Sequence, residues 1–127
     1  MRNRAGRVLN VRKAGTGMLM LPGGKPEAGE TPLETAIREF GEELGIKRDP
    51  ARMRDLGIFR ADAANESGFT VEAAVFEHPF VAEAEHITPL AEIEYFEWVP
   101  LDTQRADVAP LNRDAVFPAL LENPAFK

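Results

Sequence analysis

The chain has 127 residues, with 15 Lys and Arg, 21 Asp and Glu, a formal net charge of -6 and no cysteine. This length predicts a single domain over residues 1–127, and the lack of cysteine excludes a disulfide framework, a thiolate metal site and a thiol nucleophile. The negative charge argues against a duplex nucleic acid partner, and no apolar stretch has membrane-spanning or signal-peptide character, so a cytoplasmic protein is expected.

The apolar pattern and the turn signals divide the chain into elements in the order β, β, α, β, β, β, α. The predicted strands are 7–11, 18–21, 55–60, 69–76 and 95–99, and the predicted helices are 31–44 and 112–121. Asn112 is expected to cap the last helix, in which Pro118 predicts a kink or a restart. Mixed strands around helices predict an α+β fold, arranged as an α-β-α sandwich.

The helix at 31–44 has explicit signals at both ends. Thr31 is a candidate N-cap, Pro32 suits the first helical position, and Glu34 completes a Thr-x-x-Glu capping box. Gly45 is the expected left-handed residue after the last turn. Apolar residues recur at helical spacing and predict a packing face, made of Leu33, Ile37, Phe40 and Leu44.

Three carboxylates lie on one side of the same helix. Glu39, Glu42 and Glu43 stand at i, i+3 and i+4, a spacing that makes side chains neighbours on a helix surface. Like charges at this spacing repel, so the cluster predicts a compensating cation. Hard oxygen ligands favour Mg²⁺, which takes few carboxylates and completes its shell with waters and substrate phosphates; Mn²⁺ can substitute.

The segment 24–46 fits the pattern G-x5-E-x7-R-E-U-x-E-E-x-G-U, where U is a bulky apolar residue. The fixed positions are filled by Gly24, Glu30, Arg38, Glu39, Phe40, Glu42, Glu43, Gly45 and Ile46. This segment resembles the Nudix box of the Nudix (MutT-like) hydrolases. The resemblance implies the Nudix fold, a mixed sheet packed between helices.

The resemblance also implies roles for the residues of the box. Glu39, Glu42 and Glu43 would be the metal ligands, joined by the backbone carbonyl of Gly24. Glu30 and Arg38 would pair and hold the loop before the helix against its carboxylate face. Glu43 and Glu39 are also candidates for the general base.

A further carboxylate is often supplied in this family from a segment that precedes a Trp-bearing strand. Residues 92–100 resemble that segment, and Glu92 is our choice within it, with Glu94 as the alternative. Alternating Glu and apolar residues are also typical of any half-exposed strand, which is the competing interpretation.

The implied reaction is Mg²⁺-dependent hydrolysis of a phosphoanhydride bond in a nucleoside diphosphate linked to another group. Subgroup signatures for ADP-ribose, dinucleoside polyphosphates and NADH are absent downstream of the box, which favours a nucleoside triphosphate or a related small nucleotide. The products would then be a nucleoside monophosphate and pyrophosphate. Lys25, Asn65 and Glu66 are candidate substrate-binding residues, although Asn65 also suits a simple hairpin turn.

Basic residues near the predicted site have an ordinary interpretation as well. Arg12 and Lys13 directly follow the first predicted strand, and we interpret them as the solvated end of a hairpin.

Two alternatives stay open at the level of function. The first is a catalytically silent Nudix module that binds a nucleotide as a sensor or partner domain, although every box carboxylate is retained. The second, weaker one is a prenyl diphosphate isomerase of related fold, which would need a cysteine.

The resemblance departs from the family at the N-terminus. Family members usually begin with a strand before the one at 7–11, and the six residues before it in this sequence are too few to supply one. Either the natural start lies upstream or the sheet is completed differently, for example by an edge strand from a partner chain. A homodimer is therefore one expectation.

Overall fold

The computed structural model describes residues 1–63, 68–123 and 126. Its strands are β1 (Val8–Lys13), β2 (Arg54–Asp62), β3 (Thr70–Glu77) and β4 (Ile93–Val99). Its helices are α1 (Pro32–Leu44), a π-helical segment (Leu111–Val116) that continues into α2 (Phe117–Glu122), and two 3-10 turns at Pro50–Arg52 and Ala82–Glu85. The predicted order of elements is thus observed, with one strand missing.

The missing strand is the one predicted at 18–21. Leu19 and Met20 make only isolated bridges, antiparallel from Met20 to Val11 and parallel from Leu19 to Val108. Because Pro22 has no N–H to donate, the pairing cannot extend along the chain as a ladder. The bridge from Leu19 to Val108 nevertheless adds a parallel contact to an otherwise antiparallel sheet.

The central sheet pairs β1 with β4 in antiparallel fashion. Val8 lies opposite Val99 and Arg12 opposite Tyr95, and the register shifts between Arg12 and Lys13, where Lys13 pairs with Ile93. This bulge changes the direction of the strand end and so re-aims the Lys13 side chain.

Alternate residues of β1 face two different hydrophobic clusters, because successive strand side chains point to opposite faces. Leu9 and Val11 pack with Phe40 and Leu44 of α1. Val8 packs on the other face in a cluster that includes residues of β4, the π-helical segment and α2, namely Val99, Val116, Phe117 and Leu120. Helices therefore cover both faces of the sheet, as the predicted sandwich requires.

A second antiparallel sheet is the hairpin of β2 and β3. It runs from the pair Arg54 and Glu77 to the pair Asp62 and Thr70, with a bulge near Gly57. Leu56 of β2 is buried in the same cluster as Val8, which attaches the hairpin to the core. The strand β2 is longer than predicted, and β3 has the predicted length but is shifted by one residue toward the C-terminus.

The signals predicted at the ends of α1 are present. The Thr31 hydroxyl accepts a hydrogen bond from the Glu34 N–H at 3.2 Å, and the Glu34 carboxylate accepts one from the Thr31 N–H at 3.0 Å. Gly45 has φ 69°, a left-handed conformation that favours glycine. Such a cap typically stabilises a helix by about 1 kcal/mol.

The prediction for Asn112 is wrong. The residue lies inside the π-helical segment, is buried, and donates from its side-chain amide to the Asn10 side-chain oxygen at 2.5 Å, so it does not cap the helix. The prediction for Pro118 is confirmed, since π-helical geometry ends and α2 begins beside it. Proline lacks the N–H that would continue the ladder.

No regular strand precedes β1 in the described residues, as expected. Residues at the N-terminus instead form a bridge between Arg2 and Val8, and the Met1 carbonyl accepts a hydrogen bond from the Leu9 N–H at 3.1 Å. Met1 is buried in the cluster beneath α1. Among the helices of the described ranges, none is both long enough and apolar enough to cross a membrane.

Candidate active site

The three carboxylates of α1 differ sharply in burial, because the helix rests its apolar face on the sheet. The Glu43 residue is 1% exposed, whereas the side chains of Glu39 and Glu42 are 15% and 54% exposed. Neither oxygen of Glu43 makes a hydrogen bond of normal geometry with the described residues, although the Gly23 backbone lies near enough to oppose the rise in its pKa. A buried carboxylate in that condition costs free energy unless another charge or ligand compensates it.

Arg38 gathers the other acidic groups. Its guanidinium makes a bidentate contact with Glu30, at 2.7 Å from Nε and 2.9 Å from Nη2. Nη1 donates to Glu39 at 2.8 Å and to Glu42 at 3.2 Å, and Nη2 donates to the Lys25 carbonyl at 3.1 Å. One side chain therefore fixes the loop before the helix to two carboxylates of the helix.

The Arg38 hydrogen bonds strongly favour the ionised form of Glu30. Together with a backbone hydrogen bond from Glu27 and a hydroxyl from Thr35, they lower the pKa of Glu30 to about 2. The same pairing raises the pKa of Arg38 above its ordinary value. Both groups are charged over the whole physiological pH range.

Gly24 lies directly against the carboxylate of Glu39. A Cβ atom built on Gly24 would stand 2.6 Å from Cδ of Glu39 and 2.7 Å from its Oε1. A larger residue at this position would push the Glu39 carboxylate away from the loop. Glycine thereby keeps the loop backbone next to the acidic face of α1.

Lys13 also belongs to this site, and its interpretation as a solvated hairpin end is wrong. Its ammonium lies 3.7 Å from Glu43 Oε1 and 3.7 Å from Glu92 Oε1, and donates to the Gly23 carbonyl at 3.2 Å. The bulge at the end of β1 accounts for its position. Arg12 does lie at the surface, where it pairs with Glu94 at 3.0 Å and stacks over the Tyr95 ring.

The environment of Glu43 shifts the pKa of its carboxyl into the neutral range. Burial raises the pKa of Glu43 to about 7. The charge of Lys13 and the Gly23 backbone oppose the rise, and the charges of Glu39 and Glu92 add to it. Glu43 can therefore exist in either protonation state near neutral pH.

The structure separates the two candidate carboxylates of residues 92–100. Glu92 precedes β4 and shares the Lys13 ammonium with Glu43, whereas Glu94 faces Arg12. The Glu92 backbone carbonyl also accepts a hydrogen bond from the Ala14 N–H at 2.7 Å, which ties this segment to the end of β1. Only Glu92 is thus joined to the box carboxylates.

A sequence model of the NUDIX domain matches residues 1–119. The chain belongs to the NUDIX family. Its structure resembles the crystal structure of a MutT protein from Methanosarcina mazei Go1, with a TM-score of 0.77 and 26% identity, covering 97% of this chain and 89% of that one. The Nudix fold predicted from the box is confirmed.

Two curated relatives share part of this Nudix sequence. The chain is 35% identical over 91 residues to an isopentenyl-diphosphate Delta-isomerase of Jannaschia sp. (strain CCS1), covering 67% of this chain and 49% of that protein. It is 47% identical over 58 residues to an RNA pyrophosphohydrolase of Halorhodospira halophila (strain DSM 244 / SL1), covering 46% and 31% respectively. The aligned regions span half or less of these relatives.

The carboxylate oxygens of the Nudix box are the type of ligand that a hard divalent cation prefers. Glu39 and Glu42 converge on one nitrogen of Arg38, and the buried Glu43 oxygens have no hydrogen-bond partner among the described residues. In the described residues no group of three His, Cys, Asp or Glu side chains already stands in metal-binding geometry. The Arg38 contacts explain this, because they turn two of the carboxylates toward the guanidinium.

Of the three candidate substrate-binding residues, the structure describes Lys25. Lys25 is exposed, and its backbone carbonyl rather than its side chain makes the recorded contact with Arg38. Asn65 and Glu66 lie outside the described residues.

Sequence reasoning did not predict that Lys13 lies within the site, and it did not single out Arg48. Arg48 is buried, with its guanidinium 3.8 Å from the centre of the Phe40 ring, and burial lowers its pKa to about 10. Its charge interacts with that of Glu43 from the core side of α1. The only signal for Arg48 in the sequence was a basic residue two positions after the end of the Nudix box.

Proposed function

We propose that the protein is a Mg²⁺-dependent hydrolase that cleaves a phosphoanhydride bond in a nucleoside diphosphate linked to another group. The observation that carries this proposal is the buried Glu43 carboxylate, uncompensated by any hydrogen bond from the described residues, beside Glu39 and Glu42. A structural acidic surface would have no reason to bury one of its charges in this way.

Glu39, Glu42 and Glu43, with the Gly24 carbonyl, would hold the divalent ion. When bound, the ion would supply Lewis acidity toward the phosphate oxygens and lower the pKa of the attacking water. Arg38 and Glu30 keep the loop and the helix in register, so that the carboxylates stay gathered. Gly24 keeps the loop backbone close to Glu39.

Glu92 is our choice for the group that takes the proton from the attacking water. Its side chain is 55% exposed, so it can reach solvent, while Lys13 keeps it next to Glu43. Glu43 and Glu39 are the alternatives within the helix, and the Glu43 pKa of about 7 suits proton exchange near neutral pH.

A nucleoside triphosphate or related small nucleotide is the proposed substrate, with a nucleoside monophosphate and pyrophosphate as products. The names of the two curated relatives support a phosphate anhydride as the common chemical feature. The chain has no cysteine, which under the family resemblance favours hydrolysis over prenyl diphosphate isomerisation. We propose a cytoplasmic location and a homodimer as the working state.

A nucleotide panel assayed with Mg²⁺ and with Mn²⁺ tests this proposal. Products are separated by chromatography, and reactions in ¹⁸O-labelled water show which phosphorus is attacked. We expect turnover of at least one nucleoside triphosphate, with label in the monophosphate. Nucleotide binding without turnover would favour the silent module. Isopentenyl diphosphate is included as a further substrate, and its isomerisation would favour the chemistry named for the isomerase relative.

A further inference from the structure

Lys13 connects three parts of the molecule that are distant in sequence. It lies at the bulged end of β1, and its ammonium reaches Glu43 in α1, Glu92 before β4 and the Gly23 carbonyl in the loop before the box helix. Its side chain is only 26% exposed. It is thus a central element of the site and not a surface charge.

The contacts of Lys13 with the two carboxylates compensate their charge but are too long to be hydrogen bonds. Both carboxylate distances are 3.7 Å, and the only hydrogen bond recorded for the ammonium in the described ranges goes to Gly23. Glu43 keeps two buried oxygens without a hydrogen-bond partner there. Glu43 therefore has a cation nearby while both of its oxygens remain available as ligands.

The contacts of Arg38 are of another kind. Its planar guanidinium binds Glu30 in bidentate geometry and reaches two more carboxylates. Lys13 instead offers a compact charge on a flexible stem, which can change position without breaking a fixed set of hydrogen bonds.

We propose that Lys13 is a stand-in cation that holds Glu43 and Glu92 in place in the metal-free protein and releases Glu43 when the divalent ion is bound. This inference rests on the proposed function. Lys13 is a positioning residue, because it acts through the two carboxylates. Its consequence is that lysine and divalent ion compensate the same buried charge and therefore compete.

Thermal unfolding with and without the ion tests this inference. We compare wild type, Lys13→Met, Lys13→Arg and Arg12→Met, each with a chelator and with saturating Mg²⁺ or Mn²⁺, in mildly alkaline buffer. We expect Lys13→Met to lower Tm by several degrees without the ion and to regain most of that loss with it. By linkage, Mn²⁺ should bind Lys13→Met roughly tenfold more tightly than wild type.

The two other variants are matched controls. Lys13→Arg keeps a cation and should behave more like wild type than Lys13→Met does. Arg12→Met removes the neighbouring charge, which pairs with Glu94, and its Tm difference from wild type should not depend on the ion. A residue with a merely structural role would give the same loss in both conditions.

Two results overturn the inference while leaving the proposed function intact. In the first, wild type binds the ion and hydrolyses nucleotide, but the ion does not reduce the loss of Tm caused by Lys13→Met. The other is a Lys13→Met protein that fails to fold even with saturating ion. If wild type takes up no Mg²⁺ or Mn²⁺ by calorimetry, the proposed function fails first and this inference with it.

Discussion

The carboxylate charges on the two sides of the box helix are compensated in different ways. On the exposed side, Glu39 and Glu42 receive hydrogen bonds from Arg38, which is itself anchored by Glu30. On the buried side, Glu43 has only an ammonium at 3.7 Å and no hydrogen-bond partner among the described residues. The first arrangement is complete by itself, and the second is incomplete.

The difference shows in the proton affinities of the two sides. The guanidinium lowers the pKa of Glu30 to about 2, whereas burial raises the pKa of Glu43 to about 7. Since a carboxylate with strong hydrogen-bond partners gains less from a new ligand than one without them, we expect Glu43 to gain the most of the three proposed ligands when the ion binds. The box helix thus carries two carboxylates held by Arg38 and one buried carboxylate without strong hydrogen bonds.

The largest expected effect comes from removing the charge on the incomplete side. Glu43→Gln keeps the size of the side chain but loses a proposed ligand, and we expect hydrolysis to fall by about three orders of magnitude. Metal-free Tm at alkaline pH should rise, because a buried charge disappears. Enzyme assays and thermal unfolding measure the two effects.

Glu42→Gln is the matched comparison for that change. It should also reduce hydrolysis by orders of magnitude, but its metal-free Tm should stay near wild type because the side chain is half exposed. Near-normal turnover in both variants would rule out these residues as ligands.

A smaller effect is expected from weakening the complete side. Arg38→Lys retains the charge but loses the bidentate contact with Glu30 and the second nitrogen that reaches the helix carboxylates. We expect kcat to fall roughly 10–100-fold with a weaker affinity for Mn²⁺, as is typical when groups that orient metal ligands are lost. Unchanged Mn²⁺ affinity would show that the anchor is structural only.

The box helix could be predicted from sequence because its signals are local. Thr31, Glu34 and Gly45 act on their own turns, and the carboxylate spacing follows from helix geometry alone. The position of Lys13 could not be predicted in the same way. It depends on a bulge in the pairing of β1 with β4 and on the approach of Glu92, two contacts between segments about 80 residues apart in sequence.

The two wrong predictions in the fold have a similar cause. Asn112 has the residue type of a cap, but its amide is used in a buried contact with Asn10 on the central sheet. The segment 18–21 has the composition of a strand, but Leu19 bridges toward Val108 while Pro22 stops further pairing. In both places tertiary contacts override a local preference.

The last expected effect separates the two sides by the pH dependence of stability. The folded pKa of Glu43 is raised from 4.5 to about 7, so its contribution to stability is full below pH 4.5 and is lost as pH rises through about 7. Relative to Glu43→Gln, wild type should therefore lose up to roughly 3 kcal/mol of unfolding free energy across this range.

Glu30 should show the opposite sign in a more acidic range. Its folded pKa is lowered from 4.5 to about 2, so its contribution is present above 4.5 and is lost as pH falls toward 2. Urea unfolding of wild type, Glu43→Gln and Glu30→Gln across pH measures both effects in metal-free buffer. If the two variants differ from wild type with the same pH dependence, the two carboxylates share one environment and the distinction between a complete and an incomplete side is wrong.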